Sequence, residues 1–504
     1  MPIRPPAPAE LQAIARRHHF ELTDAEAAEY ATHVTATLGS FAVLDDLDER
    51  DEADPAAPAG RDPGRPPRDG ESAVNGWAWR CSIKGRSGGP LDGRTVAVKD
   101  NTMVAGQPLG LGTRMMDGFV ADRDATVVTR ILDAGAEIIG RSAVPAFCFD
   151  GGGFVGGFDP PVLNPRDPAH VPGGSSSGSA ALVAAGEVDI ALGGDQGGSI
   201  RLPASFSGVC GHKPTYGLVP YTGIVGVERT LDHVGPLAAT VRDCALMLEA
   251  IAGPDGLDPR QRDVRVTPYV APLDDGVRGL RVGVLTEGFG WPDASEPEVD
   301  AAVRRTARSL AAAGASVREI SVPMHRFGID IWNAIVLQGC VDLMVRGEGV
   351  GTNAGGPYPT ALADFFADAR RARADLFSPT LRLTLLTAEH VSAQRRLHYY
   401  AKARNLGRRL RRAYDAALSD VDVLVMPTTP MRAFARPAQD APLDEVFAAA
   451  LGNLHNVTPF DVTGHPALSL PVPGQPGLPI GFMVVGRHFD DATVLRVGDA
   501  VQRQ

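Results

Sequence analysis

The chain has 504 residues, 44% apolar and 22% charged. That balance excludes a disordered chain, and the length can bury a substantial core without disulfide or metal staples. A net charge of −11 offers little to a phosphate backbone and argues against nucleic-acid binding by bulk charge. Five cysteines (Cys81, Cys148, Cys210, Cys244, Cys340) are scattered, with no Cys-x-x-Cys pair. They favour a reducing cytoplasm and carry no zinc signature. The opening Met-Pro-Ile-Arg-Pro-Pro lacks the apolar stretch of a secretory signal, and the most apolar region, 180–192, is interrupted by Glu187 and Asp189. A soluble cytoplasmic protein is therefore expected.

In chain order, residues 7–48 read as helical and amphipathic, with Thr23-Asp24 as a helix start and Ala25, Tyr30, Val34 and Leu38 at helical spacing. Five prolines between 55 and 67 mark 51–72 as a linker, separating an N-terminal helical segment (1–50) from one large domain (73–504). From about residue 90, short β-branched runs alternate with helical stretches. Strands are expected at 95–99, 136–139, 188–192, 280–285, 317–320, 422–426 and 481–485. Helices are expected at 126–134, 177–185, 241–252, 298–313 and from 491 onward. This alternation predicts an α/β fold, a mixed, mostly parallel sheet covered by helices. Residues 325–373 and 388–419 lack strand character and read as a helical insertion spanning about 325–420, of the kind that often roofs an active site.

Only four of the 49 basic side chains are lysines: Lys84, Lys99, Lys213 and Lys402. In a chain that otherwise uses arginine, a lysine marks a place where an amine able to lose its proton is needed. Two Gly/Ser-dense runs, 172–180 and 193–201, are flanked closely by apolar elements, so neither is a flexible linker. No lysine lies in either, which removes a Walker-type phosphate loop. The Gly-x-Gly-x-x-Gly match at Gly151, Gly153 and Gly156 is followed by Asp159-Pro160-Pro161, which cannot open a dinucleotide-binding helix. The Gly-x-Ser-x-Gly match at 174–178 lacks the preceding strand of a nucleophile elbow. What remains is a turn, Gln196-Gly197-Gly198-Ser199, able to aim successive backbone N–H groups at one spot beside a serine hydroxyl. A lysine at the end of a strand, Lys99, could serve as its base if burial lowered its pKa.

Six segments taken together resemble the amidase signature family of Ser-Ser-Lys hydrolases, from about residue 75 to the end. They are Val-Ala-Val-Lys-Asp-Asn (96–101), Pro-Gly-Gly-Ser-Ser-Ser-Gly-Ser-Ala (172–180), Gly-Gly-Asp-Gln-Gly-Gly-Ser-Ile-Arg-Leu-Pro-Ala (193–204), Gly-His-Lys-Pro-Thr-Tyr-Gly-Leu-Val-Pro (211–220), Asp-His-Val-Gly-Pro (232–236) and Leu-Pro-Ile-Gly-Phe-Met-Val-Val-Gly (478–486). The N-terminal helices and Asp-Gln-Gly-Gly-Ser, where Asp-Thr-Gly-Gly-Ser is commoner, are similar to stand-alone bacterial amidases of the nitrile-degradation type.

The resemblance implies Ser199 as nucleophile, Ser175 as bridging serine behind a cis Gly174–Ser175 bond, and Lys99 as base. It implies an oxyanion hole from the N–H groups of Gln196, Gly197, Gly198 and Ser199. Phe149 and Trp332 are expected in the acyl pocket, and Asp195 with Arg201 as a buried pair bracing the nest. Lys213 is expected to be structural, and Ser176, Ser177 and Ser179 receive no role. No metal or organic cofactor is implied. The expected reaction is hydrolysis of carboxylic amides through a seryl acyl-enzyme, extending to anilides, carbamates (urethanes) or esters. The expected state is a homodimer whose partner is a small-molecule amide, without nucleic acid or membrane. The alternatives are the catalytic subunit of a tRNA-dependent amidotransferase and a non-catalytic scaffold of the same fold.

Overall fold

Eleven strands form one sheet within residues 60–504: β1 (Trp77–Lys84), β2 (Thr95–Lys99), β3 (Glu137–Ser142), β4 (Ile190–Asp195), β5 (Cys210–Lys213), β6 (His233–Ala238), β7 (Arg281–Leu285), β8 (Ser316–Ile320), β9 (Val423–Pro427), β10 (Ala467–Pro471) and β11 (Gly481–Gly486). The computed structural model describes residues 3–49, 60–156 and 159–504, and all counts refer to these. The strands lie in the order β1-β3-β2-β4-β6-β5-β10-β11-β9-β7-β8. Four pairings are parallel, β3–β2, β2–β4, β9–β7 and β7–β8. The other six are antiparallel. The expectation of a mostly parallel sheet is thus corrected: two parallel wings flank an antiparallel centre. That centre rests on β5, β6 and β10, short strands carrying Gly, His or Pro whose pattern is weak in sequence. Antiparallel neighbours need only brief links such as 472–480, whereas parallel ones need a long crossover.

In β2 and β4, alternate residues serve opposite faces, as a period of two requires. Val96, Val98, Ile190 and Leu192 enter the main core. Ala97 and Ala191 face a second cluster under helix Ser177–Ala184, with Ala180, Ala181 and Leu182. Covering both faces explains why these strands are almost wholly apolar. The parallel wing β3-β2-β4 brings three strand C-termini together, at Ser142, Lys99 and Asp195, the end at which open α/β sheets place their ligands.

The stretch 325–420 is helical as expected, with helices Gly328–Cys340, Thr360–Arg373, Pro379–Arg395 and His398–Asp420. The run Pro323–Arg346 is long and apolar enough to cross a membrane by length and composition, but 56% of its most apolar window is buried within the fold. It is a core helix. The peptide bond Gly174–Ser175 is cis.

In residues 3–49, helices Pro8–Arg17 and Asp24–Asp45 pack together. Thr23 starts the second through a capping box, its hydroxyl accepting from Glu26 N while the Glu26 carboxylate accepts from Thr23 N at 2.8 Å. The amphipathic reading fails here: Ala27 is the one buried residue of that helix, and Tyr30, Phe41, Val43 and Leu44 are exposed. Of the linker read at 51–72, residues 51–59 lie outside the described residues. From Gly60 onward the chain is strapped to the sheet edge. Arg61 pairs with Asp124 at 2.6 Å, and Arg65 and Arg80 exchange backbone hydrogen bonds of 2.8 Å.

Helix Ser177–Ala184 approaches the end of β3 through Gly178. A Cβ there would lie 2.5 Å from Ala143 N and Gly76 O and 2.6 Å from Ala143 O, all backbone atoms. Gly178→Ala is expected to destabilise the protein by about 1–3 kcal/mol, as overpacking does, read as a lowered melting temperature and urea midpoint.

Candidate active site

Lys99 is the last residue of β2, held between β3 and β4, and is fully buried. Its Nζ lies 2.9 Å from Ser175 Oγ and 3.2 Å from Gly194 O. Burial pushes its pKa below the ordinary lysine range, against the opposing influence of Cys148, Asp195 and Asp232. A neutral amine fits both contacts. Nζ stands as donor to both oxygens, and in its neutral form it also has a lone pair able to accept from a hydroxyl.

Ser175 directly follows the run Pro172–Gly174, which is pinned from below. Gly173 N and Gly174 N donate to Gly152 O and Gly151 O. The loop carrying those carbonyls is organised by Asp150, whose carboxylate accepts from Gly152, Phe154 and Val155 N–H at 2.6–2.7 Å. Burial raises Asp150 to about 6 against those bonds. The three neighbouring serines tie the helix start to the strands. Ser176 Oγ bonds Gly194 O and Gly194 N, Ser177 Oγ reaches Ala143 O at 3.5 Å, and Ser179 Oγ joins Ser142 Oγ and Leu192 O.

Ser199 follows β4 at the tip of the turn. Its carbonyl accepts from Ser176 N at 3.2 Å, so the two Gly/Ser runs meet backbone to backbone. Its side chain lines a cavity and makes no hydrogen bond among the described residues. Lys99 and Ser175 are therefore in direct contact, while Ser199 lines the cavity and is joined to the 172–180 run through its carbonyl.

The nest rests on a charged knot. Asp195 accepts from Arg201 Nε at 2.9 Å and Nη2 at 3.0 Å, both residues fully buried. It also accepts from Gly198 N at 2.6 Å and Ile200 N at 3.1 Å. Burial alone would raise the Asp195 carboxyl, but the charge and hydrogen bonds of Arg201, with the charge of Lys213, hold it well below the usual range. The Gly198 N–H, expected in the oxyanion hole, is thus committed to Asp195. Of the four residues of the turn, Gln196, Gly197 and Ser199 line the cavity. Gly198 has φ +111°, and a Cβ would meet Val457 Cγ2 at 2.5 Å, so glycine is required. Sequence reasoning missed Asp461, which accepts from Arg201 Nη2 at 3.0 Å. Burial and the Asp195 charge raise it well above the usual carboxylate range. No local spacing signals a partner 260 residues away in sequence. Lys213, expected to be structural, donates to His465 O at 2.7 Å and is lowered by burial to about 8.

The cavity, with the solvent space at its open mouth, spans ≈ 380 Å³. Gln196, Gly197 and Ser199 contribute its polar wall, and Phe149, Val227, Trp332, Val336, Leu451 and Leu454 its apolar wall. Both expected aromatics are present. Trp332 also braces the turn: its Nε1 donates to Gln196 O at 2.6 Å, and its ring lies where a Gly197 Cβ would be, 2.5 Å away. Gln196 Nε2 donates to Tyr221 OH at 3.0 Å, leaving Gln196 Oε1 without a partner.

A family model described as Amidase matches residues 78–495. An enantioselective amidase of Rhodococcus rhodochrous is 44% identical, over 98% of this chain and 95% of that protein. A glutamyl-tRNA(Gln) amidotransferase subunit from Koribacter versatilis is 37% identical, over 82% of this chain and 84% of that one. The X-ray structure of peptide amidase from Stenotrophomonas maltophilia superposes with a TM-score of 0.66 at 29% identity, covering 82% of this chain and 83% of its own. With the family match running through both Gly/Ser runs and the sheet that joins them, this chain belongs to the amidase signature family and is an amide-hydrolysing enzyme.

Proposed function

We propose that the chain is a stand-alone amidase that hydrolyses neutral carboxylic amides with apolar acyl groups, through an acyl-enzyme on Ser199. The observation that carries this is the buried Lys99 amine 2.9 Å from Ser175 Oγ, with Ser199 at the cavity wall. Ser199 Oγ turns about χ1 to Ser175 and attacks the amide carbonyl carbon. As the C–O bond forms, the Ser199 proton passes to Ser175 Oγ and the Ser175 proton passes to Lys99 Nζ. The N–H groups of Gln196, Gly197 and Ser199 stabilise the oxyanion. On collapse the C–N bond breaks and Ser175 protonates the leaving nitrogen, recovering its own proton from Lys99. Water enters by the same relay, its proton moving towards Lys99 as it attacks the acyl carbon, and Ser199 leaves with a proton returned by Ser175.

The apolar wall supports an uncharged, partly hydrophobic acyl group, since the one carboxylate at the cavity, Asp150, is occupied by three backbone N–H groups. Anilides, carbamates and esters present the same carbonyl and fall within reach of this chemistry. The likeness to the Rhodococcus amidase extends over 98% of the chain, against 82% for the amidotransferase component, which supports action without further protein components. The exposed Tyr30, Phe41, Val43 and Leu44 of the second N-terminal helix support a homodimer, testable by light scattering. Five free thiols support a reducing, cytoplasmic location.

The purified chain alone is expected to release ammonia from simple amides; activity only with added subunits would overturn the stand-alone reading. Ser199→Ala should lower kcat by about 10⁴-fold or more and abolish labelling by a fluorophosphonate, with the melting temperature retained. Because Lys99 must be neutral to accept a proton and burial lowers its pKa, kcat/KM should rise with pH through an inflection below the free-lysine value. Lys99→Ala should lose about 10²–10⁴-fold together with that limb. Trp332→Phe keeps the apolar ring but removes the bond to Gln196 O. It is expected to cut kcat about tenfold, the worth of one buried hydrogen bond, with a smaller change in KM.

A further inference from the structure

Asp415, His465 and His488 bring three ligand atoms within 4.8 Å of one another. Asp415 lies on helix His398–Asp420, His465 just before β10, and His488 just after β11. His465 Nε2 is 3.2 Å and His488 Nδ1 3.8 Å from the same oxygen, Asp415 Oδ1.

The hydrogen bonds around the rings bear on where their protons sit. Thr463 Oγ1 donates its one hydrogen to Pro459 O at 3.0 Å. With that hydrogen so placed, Thr463 Oγ1 accepts the bond from His465 Nδ1 at 2.9 Å and Nε2 is bare towards Asp415 Oδ1; in the other tautomer Nε2 donates to that oxygen at 3.2 Å. His488 Nε2 lies 2.9 Å from Thr463 O. A carbonyl only accepts, so the proton is on Nε2 and Nδ1 is bare. In the first tautomer two nitrogen lone pairs face one carboxylate oxygen, at 3.2 and 3.8 Å, the donor set a cation takes.

The ring centroids are 4.1 Å apart, and His465 is fully buried. Arg411 already stands by the other oxygen, 3.9 Å from Asp415 Oδ2. A single cation satisfies both nitrogens and the carboxylate at once. Each imidazole already donates its far N–H to oxygen, the supporting arrangement found behind metal-bound histidines.

We infer that Asp415, His465 and His488 form a binding site for a divalent transition-metal ion of the zinc class, held by Asp415 Oδ1, His465 Nε2 and His488 Nδ1. Bonds of about 2.05 Å in a tetrahedron place donors about 3.3 Å apart. His465 and Asp415 already have that separation, and His488 has to draw in from 3.8 Å on Asp415 and towards the His465 nitrogen, the three atoms now lying within 4.8 Å of one another. The half-exposed Asp415 leaves the fourth position open to water. The ion would join helix His398–Asp420 to the ends of β10 and β11. It would also fix Thr463, the last residue of helix Thr458–Thr463, which carries Asp461 to Arg201. Its role is a structural brace, independent of the Lys99 relay.

The test is titration of chelator-treated full-length protein with Zn²⁺ by calorimetry, with a parallel melt and a Co²⁺ spectrum. One equivalent should bind, the melting temperature should rise by several degrees, and Co²⁺ should give the intense visible bands of tetrahedral coordination. Asp415→Asn and His488→Gln should each lower Zn²⁺ affinity at least tenfold and abolish the Co²⁺ bands, while melting like the parent in chelator. Failure of the parent to bind one equivalent, or undiminished Zn²⁺ affinity in both variants, would overturn the site. The amidase assay does not enter the outcome, so the site and the proposed function stand or fall separately.

Discussion

The active site depends on an amine kept out of water. Lys99 is fully buried at the end of a central strand, and desolvation pushes it towards the neutral form that can take a proton. The nearby acids oppose this. An unpaired carboxylate beside it would hold it as ammonium and leave it useless as a base. The fold answers by giving the Asp195 charge to Arg201 through two hydrogen bonds, while burial raises Asp232 to about 7. The guanidinium of Arg201 thereby favours the neutral form of Lys99, which the proposed relay requires, without touching it.

The same Asp195 shapes the turn. Its oxygens take the N–H groups of Gly198 and Ile200, so the nest is built around a permanent internal anion before any substrate arrives. That fixes the remaining N–H groups in advance, and preorganised donors spare the enzyme reorganisation when charge develops on the substrate. The close glycine contacts, at Gly178 beneath the bridging-serine run and at Gly198 against Val457, permit two backbone segments to sit within hydrogen-bond reach of one strand end.

Much of this was legible in the residues. Lys99 stood out as one of four lysines, the two Gly/Ser runs stood out as neither linker nor phosphate loop, and the outer strands β2, β4, β7 and β9 announced themselves by β-branched patterning. Within the antiparallel centre β11 was expected at 481–485, but β5, β6 and β10 were not. β5 reads Cys-Gly-His-Lys and β6 contains Gly and Pro, residues of low strand propensity that tertiary pairing overrides. The commitment of the Gly198 N–H to Asp195 was also hidden, since spacing shows that a nest can form but not which of its donors an internal carboxylate consumes. Asp461 and the Asp415–His465–His488 cluster come from distant segments brought together only by the sheet order, and no local pattern encodes such meetings.

Trp332 holds two positions at once. Its indole N–H secures the carbonyl of Gln196 while its ring forms part of the apolar wall. Under the proposed function, substrate range and turnover meet at this one side chain. Trimming the indole to admit bulkier acyl groups also removes the bond to the Gln196 carbonyl, whereas Val227, Leu451 and Leu454 line the same cavity with side chains that cannot hydrogen-bond to the turn.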